Sequence, residues 1–152
     1  MTLNHYKISI TILRTNMKLM IVDDSEVIST RLKELLQDIN GLEVAALAED
    51  GLQAIHLFSI VNPDIIILDL MIPKLNGLDV LRSLRSTDKP VIIIVLTNYD
   101  QSYFRDKCTE LGANYFLDKS ADFEKVYRIC KNILQPDVNN DTDYLILNKS
   151  SL

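Results

Sequence analysis

Long hydrophobic runs, positive charge, cysteine and histidine are all scarce in this 152-residue chain. The apolar stretches stop well short of the ~20 residues that a membrane helix needs. The N-terminus has neither a proper apolar segment nor a small-residue cleavage site, so no secretory signal is expected. The net charge is −5 and the pI about 4.9. That balance argues against direct binding of nucleic acid, which calls for clustered Lys and Arg. The cysteines are Cys108 and Cys130 alone, too few for a disulfide framework and not at metal-ligand spacing. Each falls on the apolar stripe of a predicted helix, so both are expected as buried free thiols in a reducing cytoplasm. His56 has no acidic or Cys partner at ligand spacing, His5 falls in the N-terminal arm, and neither receives a role. No repeat or low-complexity segment suggests a solenoid.

What is present is a core. The chain is 47% hydrophobic and 24% charged, ordinary for one globular domain with short extensions. Its most telling stretch is Ile65-Ile66-Ile67-Leu68-Asp69, with Pro73 four residues after the acid and Gly77 eight after. A continuous apolar run suits a strand covered on both faces, as in a parallel sheet. Asp69 then falls at the strand's carboxyl end, the edge where open parallel sheets bind ligands.

Residues 17–135 read as the domain. Lys18 to Asp23 is an apolar strand ending in acids. Ser25 offers a cap for a helix carrying Ile28, Leu32, Leu35, Leu36 and Ile39, and Gly41 stops it. Leu42 to Ala48 is a second strand, and Asp50-Gly51 a turn. Ile55, Phe58 and Val61 give the next helix one face, ended by Asn62-Pro63. The third strand is the Ile65 run. Asn76-Gly77 opens a helix with Leu78, Leu81 and Leu84, and Lys89-Pro90 leads into Val91 to Leu96. Phe104, Cys108 and Leu111 mark a fourth helix, stopped by Gly112. Tyr115 to Leu117 is a fifth strand. Phe123, Val126, Tyr127, Cys130, Ile133 and Leu134 line the last helix. Strands alternating with helices imply an α/β fold, a five-stranded parallel sheet with right-handed crossovers and helices on both faces.

The two ends stand apart. In residues 1–16, Tyr6, Ile8, Ile10 and Ile12 alternate with polar residues, the period of a half-buried strand. This is either an added edge strand or an extension upstream of Met17, and a loosely tied arm is the preferred reading. Residues 136–152 form an Asn- and Asp-rich tail, expected to be flexible and too short for an output domain.

Four of the strand ends carry polar groups: Asp23 and Asp24 after the first, Asp69 after the third, Thr97 on the fourth and Lys119 after the fifth. The flavodoxin-like order 2-1-3-4-5 brings those four strands side by side. Carboxylates packed together repel, at about 4 kcal/mol for a pair ~4 Å apart near a surface. A hard divalent ion with oxygen ligands offsets this, and Mg2+ favours one or two carboxylates plus waters and phosphate oxygens. Taken singly, each residue has a plainer role: Asp24 as a helix cap, Thr97 as a strand terminus, Lys119 as a solvated charge and Phe116 as a core aromatic.

Taken jointly, the motifs Asp23-Asp24-Ser25, Asp69-x-x-x-Pro73-x-x-x-Gly77, Thr97 after an apolar strand, and Gly112-Ala113 followed by Lys119 resemble the receiver domain of bacterial response regulators, the CheY-like family. The resemblance covers roughly Lys18 to Leu134. It implies a single-domain switch of two-component signalling, not an enzyme beyond its own phosphorylation and dephosphorylation. Asp69 would accept phosphate from a sensor histidine kinase or a histidine phosphotransfer protein. Mg2+ would be bound by Asp24 and Asp69 directly, by Asp23 largely through water, and by the Met71 backbone carbonyl. Lys119 and Thr97 would contact the phosphoryl group, and Thr97 and Phe116 would move together on activation. A downstream protein effector and a phosphorylation-dependent dimer are implied partners, in the cytoplasm and without membrane contact.

Two departures matter. Ser120 stands where the family commonly has Pro. Met71 and Tyr99 occupy positions that the family varies to tune phosphoryl lifetime, and bulky Tyr99 is expected to hinder the attacking water. The competing readings are a Mg2+-dependent phosphohydrolase, a flavin carrier and a receiver-fold adaptor that is never phosphorylated. Phosphohydrolases of the haloacid-dehalogenase type need a second Asp where this chain has Met71. A flavin carrier needs a hydroxyl- and Gly-rich phosphate loop, where this chain has Asp23-Asp24-Ser25-Glu26.

Overall fold

The computed structural model describes residues 16–99 and 102–136. The expectations for the arm and for the Tyr144 to Leu147 stretch of the tail lie outside the described residues. Five strands, β1 (Met17–Val22), β2 (Leu42–Ala48), β3 (Ile65–Leu68), β4 (Ile92–Thr97) and β5 (Tyr115–Asp118), alternate with five helices. The helices are α1 (Glu26–Leu36), α2 (Gly51–Val61), α3 (Gly77–Arg85), α4 (Ser102–Glu110) and α5 (Lys125–Leu134). All strand pairs are parallel, in the order β2-β1-β3-β4-β5. The expected fold class and strand order are those of the structure.

The Ile65 run is apolar without interruption because both faces of the sheet are covered. Ile66 and Leu68 pack with Met20, Val22, Ile93 and Val95 on one face. Ile65 and Ile67 pack with Leu19, Ile21, Ile94 and Leu96 on the other. The four β3 side chains are at most 2% exposed, and each such burial contributes about 2 kcal/mol. The two thiols also lie in the core, where burial pushes Cys108 up to about 11 and Cys130 up to about 12. Such thiols are inert at neutral pH.

Local signals set the boundaries. Ser25 caps α1 by accepting the Ile28 N–H, and Asn76 caps α3 by accepting the Asp79 N–H. Asn62 ends α2 in the left-handed region at φ 51°. Several boundaries differ from the sequence reading: Ile39 lies beyond the end of α1 at Leu36, and Leu111 just beyond α4. Asp50 is not a bare turn residue but the cap of α2, accepting the Gln53 N–H at 2.8 Å. Phe123 precedes α5 instead of lying on it, because Asp118 and Asp122 shape a turn there through the Asp122 N–H to Asp118 C=O bond. Its ring is still buried and carries the Arg31 guanidinium 4.2 Å from its centre.

At the amino ends of the strands, Arg85 closes the sheet. Its guanidinium donates to the carbonyls of Gly112 (2.9 Å) and Val91 (2.8 Å) and to Asn114 Oδ1 (2.7 Å). The same Asn114 oxygen accepts the Ile93 N–H at 2.8 Å. One side chain on α3 thus ties the start of β4 to the turn before β5. Gly112, in that turn, has φ +97° and faces the Arg85 side chain, leaving no easy room for a Cβ.

Candidate functional site

The carboxyl ends of the strands converge because their register is tight. β1 and β3 pair Val22 with Leu68, so Asp23 and Asp69 leave adjacent strands at the same level. The Asp69 N–H donates to Val22 C=O at 2.9 Å, and the Asp23 N–H to Ala48 C=O at 3.0 Å. Both carboxylates are buried, Asp23 at 4% and Asp69 at 5% exposure, whereas Asp24 is exposed. One oxygen from each of the three lies within 4.8 Å of the others.

The positive group is Lys119. Its backbone is placed by the Lys119 N–H to Thr97 C=O bond across β4 and β5. Its ammonium lies 2.6 Å from Asp23 Oδ2 and 2.9 Å from Asp69 Oδ2. Remaining lone pairs are satisfied locally: Asp23 Oδ1 accepts the Ser25 N–H at 2.9 Å, and Asp69 Oδ1 the Met71 N–H at 3.2 Å. No buried side-chain polar atom among the described residues lacks a partner.

The titration behaviour follows from stoichiometry. Burial pushes the Asp23 carboxyl up and Asp69 adds to this, while the Lys119 and Ser25 bonds offset only part of it. Burial alone would lower Lys119, but its hydrogen bonds to Asp23 and Asp69 and their charges hold it above the ordinary lysine value. One ammonium gains from two carboxylates, whereas each carboxylate shares one ammonium and faces another anion.

The remaining predicted residues take these places. Thr97 is fully buried at the end of β4, its Oγ1 accepting the Tyr99 N–H at 3.3 Å. Met71, next to the site, is exposed. Phe116 is half-buried on β5 and packs against the core on the α3 side of the sheet. The Arg105 guanidinium sits 4.8 Å from the Phe116 ring centre. Tyr99 is 37% exposed and meets the Phe104 ring edge-on at 4.8 Å. Ser120, where the family commonly has Pro, donates its hydroxyl to Asn98 Oδ1 at 3.1 Å and so links the loops after β4 and β5.

The sequence reading missed one contribution. The loop from Asp69 to Asn76 rests on the Asp50–Gly51 turn of α2, through Lys74 and Leu75. An Asp-Gly pair directly before an apolar helical pattern was the available signal, since Asp caps helices and Gly permits close backbone approach.

The donor set suits a hard cation. Ligand atoms of an ion bound at ~2.1 Å lie ~3–4 Å apart, and one oxygen from each of Asp23, Asp24 and Asp69 already lies within 4.8 Å of the others. Oxygen donors and the absence of Cys or His from this group fit Mg2+ and not a thiophilic metal.

Comparisons with known proteins identify the family. A family model described as the response regulator receiver domain matches residues 19–131. Response regulator MprA of Mycobacterium sp. (strain KMS) is 34% identical over 131 residues, covering 84% of this chain and 56% of the relative. The chain spans about half the length of the curated relatives it matches. A two-component response regulator of the LuxR family from Aurantimonas sp. SI85-9A1 is similar in structure, with a TM-score of 0.72 and 27% identity over 90% of this chain and 99% of that one. A chain of the CheX–CheY–BeF3–Mg2+ complex from Borrelia burgdorferi gives a TM-score of 0.70 and 26% identity, covering 77% and 88%. With its sheet order, its rim of acids and Lys119 set among them, the chain belongs to the response regulator receiver domain family of two-component signalling.

Proposed function

We propose that this chain takes a phosphoryl group onto Asp69 from a histidine of a sensor kinase or of a histidine phosphotransfer protein. The signal then passes to a downstream protein in the cytoplasm. The observation that carries this reading is the placement of the Lys119 ammonium 2.9 Å from a buried Asp69 oxygen, beside two further carboxylates. An Asp69 oxygen attacks phosphorus, the bond from phosphorus to the histidine nitrogen breaks, and an acyl phosphate remains on Asp69. Asp23, Asp24, Asp69 and the Met71 carbonyl would hold Mg2+, which when bound supplies charge neutralisation to the transferring oxygens. Lys119 turns from Asp23 toward the new phosphoryl oxygens, and the Thr97 hydroxyl donates to another. Phe116 then repacks behind Thr97, which changes the face that a partner meets. The presence of Mg2+ in the similar Borrelia complex supports the assignment of the ion.

The test is incubation with acetyl phosphate and Mg2+, read by mass spectrometry of the intact chain. Gain of one phosphoryl group, absent with EDTA, is the expected result. An unchanged mass would favour an adaptor that is never phosphorylated, and rapid turnover of small phosphate esters would favour the phosphohydrolase.

Two further outcomes are expected. Mg2+ at tenfold excess over its dissociation constant should stabilise the fold by about 1.4 kcal/mol, seen as a rise in Tm that Asp24→Ala reduces. Tyr99→Ala should shorten the phosphoryl lifetime several-fold, because the ring packed against Phe104 stands two residues after Thr97 at the rim. A lifetime unchanged in that variant would remove Tyr99 from the control of hydrolysis.

A further inference from the structure

The loop between β3 and α3 is held from outside the acidic cluster. The Gly51 N–H, at the start of α2, donates to Pro73 C=O at 3.1 Å. The approach is so close that a Cβ on Gly51 would lie 2.0 Å from Leu75 O and 2.6 Å from Leu75 Cβ. Asp50, which caps α2, also pairs with Lys74 through a 3.1 Å contact. Lys74 takes a positive φ of 68°, unusual for a residue with a side chain. At its far end the loop is closed by the Gly77 N–H to Leu70 C=O bond at 3.0 Å. There too no side chain fits, since a Gly77 Cβ would lie 2.4 Å from Leu70 Cα. The backbone at Met71 therefore runs between two fixed points, one at Leu70 and one at Pro73–Leu75.

We propose that the Asp50–Gly51 turn is a positioning element for the divalent cation, setting where the Met71 carbonyl lies relative to Asp23, Asp24 and Asp69. This rests on the metal reading given above. Mg2+ requires near-ideal octahedral geometry at 2.0–2.1 Å, whereas Ca2+ accepts 6–8 oxygens at 2.3–2.6 Å in flexible arrangements. A displaced carbonyl is thus felt more by Mg2+ than by Ca2+. Gly51 is the rigid part of the device. The Lys74 side chain is 62% exposed, so its ion pair with Asp50 contributes the smaller share.

The experiment is calorimetric titration of the whole chain with Mg2+ and, separately, Ca2+, for the wild type, Gly51→Ala and Asp50→Asn. Circular dichroism monitors folding. Gly51→Ala should weaken Mg2+ binding about tenfold, as loss of an outer support does at metal sites, with a smaller loss for Ca2+. Asp50→Asn keeps the cap and removes only the charge; it should weaken Mg2+ about threefold and leave Ca2+ unchanged. This second variant decides the matter if Gly51→Ala does not fold. Mg2+ affinity unchanged in the folded variants, or an equal loss for both ions, overturns the proposal while leaving the metal reading intact. A wild-type chain that binds no Mg2+ overturns the metal reading, and this one with it.

Discussion

Asp69→Asn is expected to take up no phosphoryl group from acetyl phosphate and Mg2+, while folding at least as well as the parent chain. The chemical loss is complete because an amide oxygen is not a nucleophile toward phosphorus under these conditions, and no other carboxylate occupies the same place. Asp23 is equally buried but is committed to Lys119 and to the Ser25 N–H. Asp24 is exposed. The fold survives because the substituted amide keeps an oxygen for the Met71 N–H or for Lys119. The substitution also removes one of two buried negative charges that share a single ammonium. Near a surface, like charges at such separations repel by a few kcal/mol, and losing half of the ion pair cancels most of that relief. A net gain of about 1 kcal/mol without Mg2+ is the expected balance. Mass spectrometry reads the first effect and urea unfolding the second. Phosphate taken up by the Asp69→Asn variant would point to another acceptor, and marked destabilisation would mean that Asp69 is a structural acid.

Lys119→Ala should have the opposite effect on stability. The lysine is the only cation within ion-pair distance of Asp23 and Asp69 among the described residues. Its removal leaves two buried carboxylates facing each other with no positive partner. Breaking one side of a buried pair costs about 3–5 kcal/mol, and the position at the sheet rim favours the lower end. A loss of about 3 kcal/mol corresponds to a fall of about 10 °C in Tm. Mg2+ should restore much of it, because the ion supplies the missing charge to the same oxygens. The parent chain should mirror this at alkaline pH without Mg2+. Lys119 is held above its ordinary value, so its contribution is full below about pH 10.5 and is lost as pH rises beyond that. A variant as stable as wild type, or one indifferent to Mg2+, would contradict the charge balance described for the site.

How much of this was readable in advance differs between residues. The Ile65 run announced a strand buried on both faces, and its acid announced the rim, because burial and strand polarity leave direct marks on residue order. The helix starts at Ser25 and Asn76 were equally plain, since capping is local chemistry. The division of labour between Asp23 and Asp24 came from the family resemblance and not from residue order. Adjacent residues leaving a strand point to opposite sides, and only the pairing of β1 with β3 decides which one faces Lys119. The support given by Asp50 and Gly51 was hidden for a related reason. It depends on contact with a loop some twenty residues later, and an Asp-Gly pair looks the same whether it turns in solvent or touches another backbone. Phe123 was assigned to the right core but the wrong element, because periodicity does not register a turn closed by Asp118 and Asp122.

Arg85 gives the sheet an anchored foot. Its three hydrogen bonds join α3, the residue just before β4 and the approach to β5 at the end of the sheet farthest from Asp69. Any shift of Thr97 or Phe116 must then act as a swing about that foot and not as a slide of whole strands. In the proposed switch, backbone travel would be largest at the Thr97 tip of β4, while Phe116, close to the anchored Asn114, would respond by turning its ring. A partner that senses the phosphorylated state would have to grip the upper half of that face.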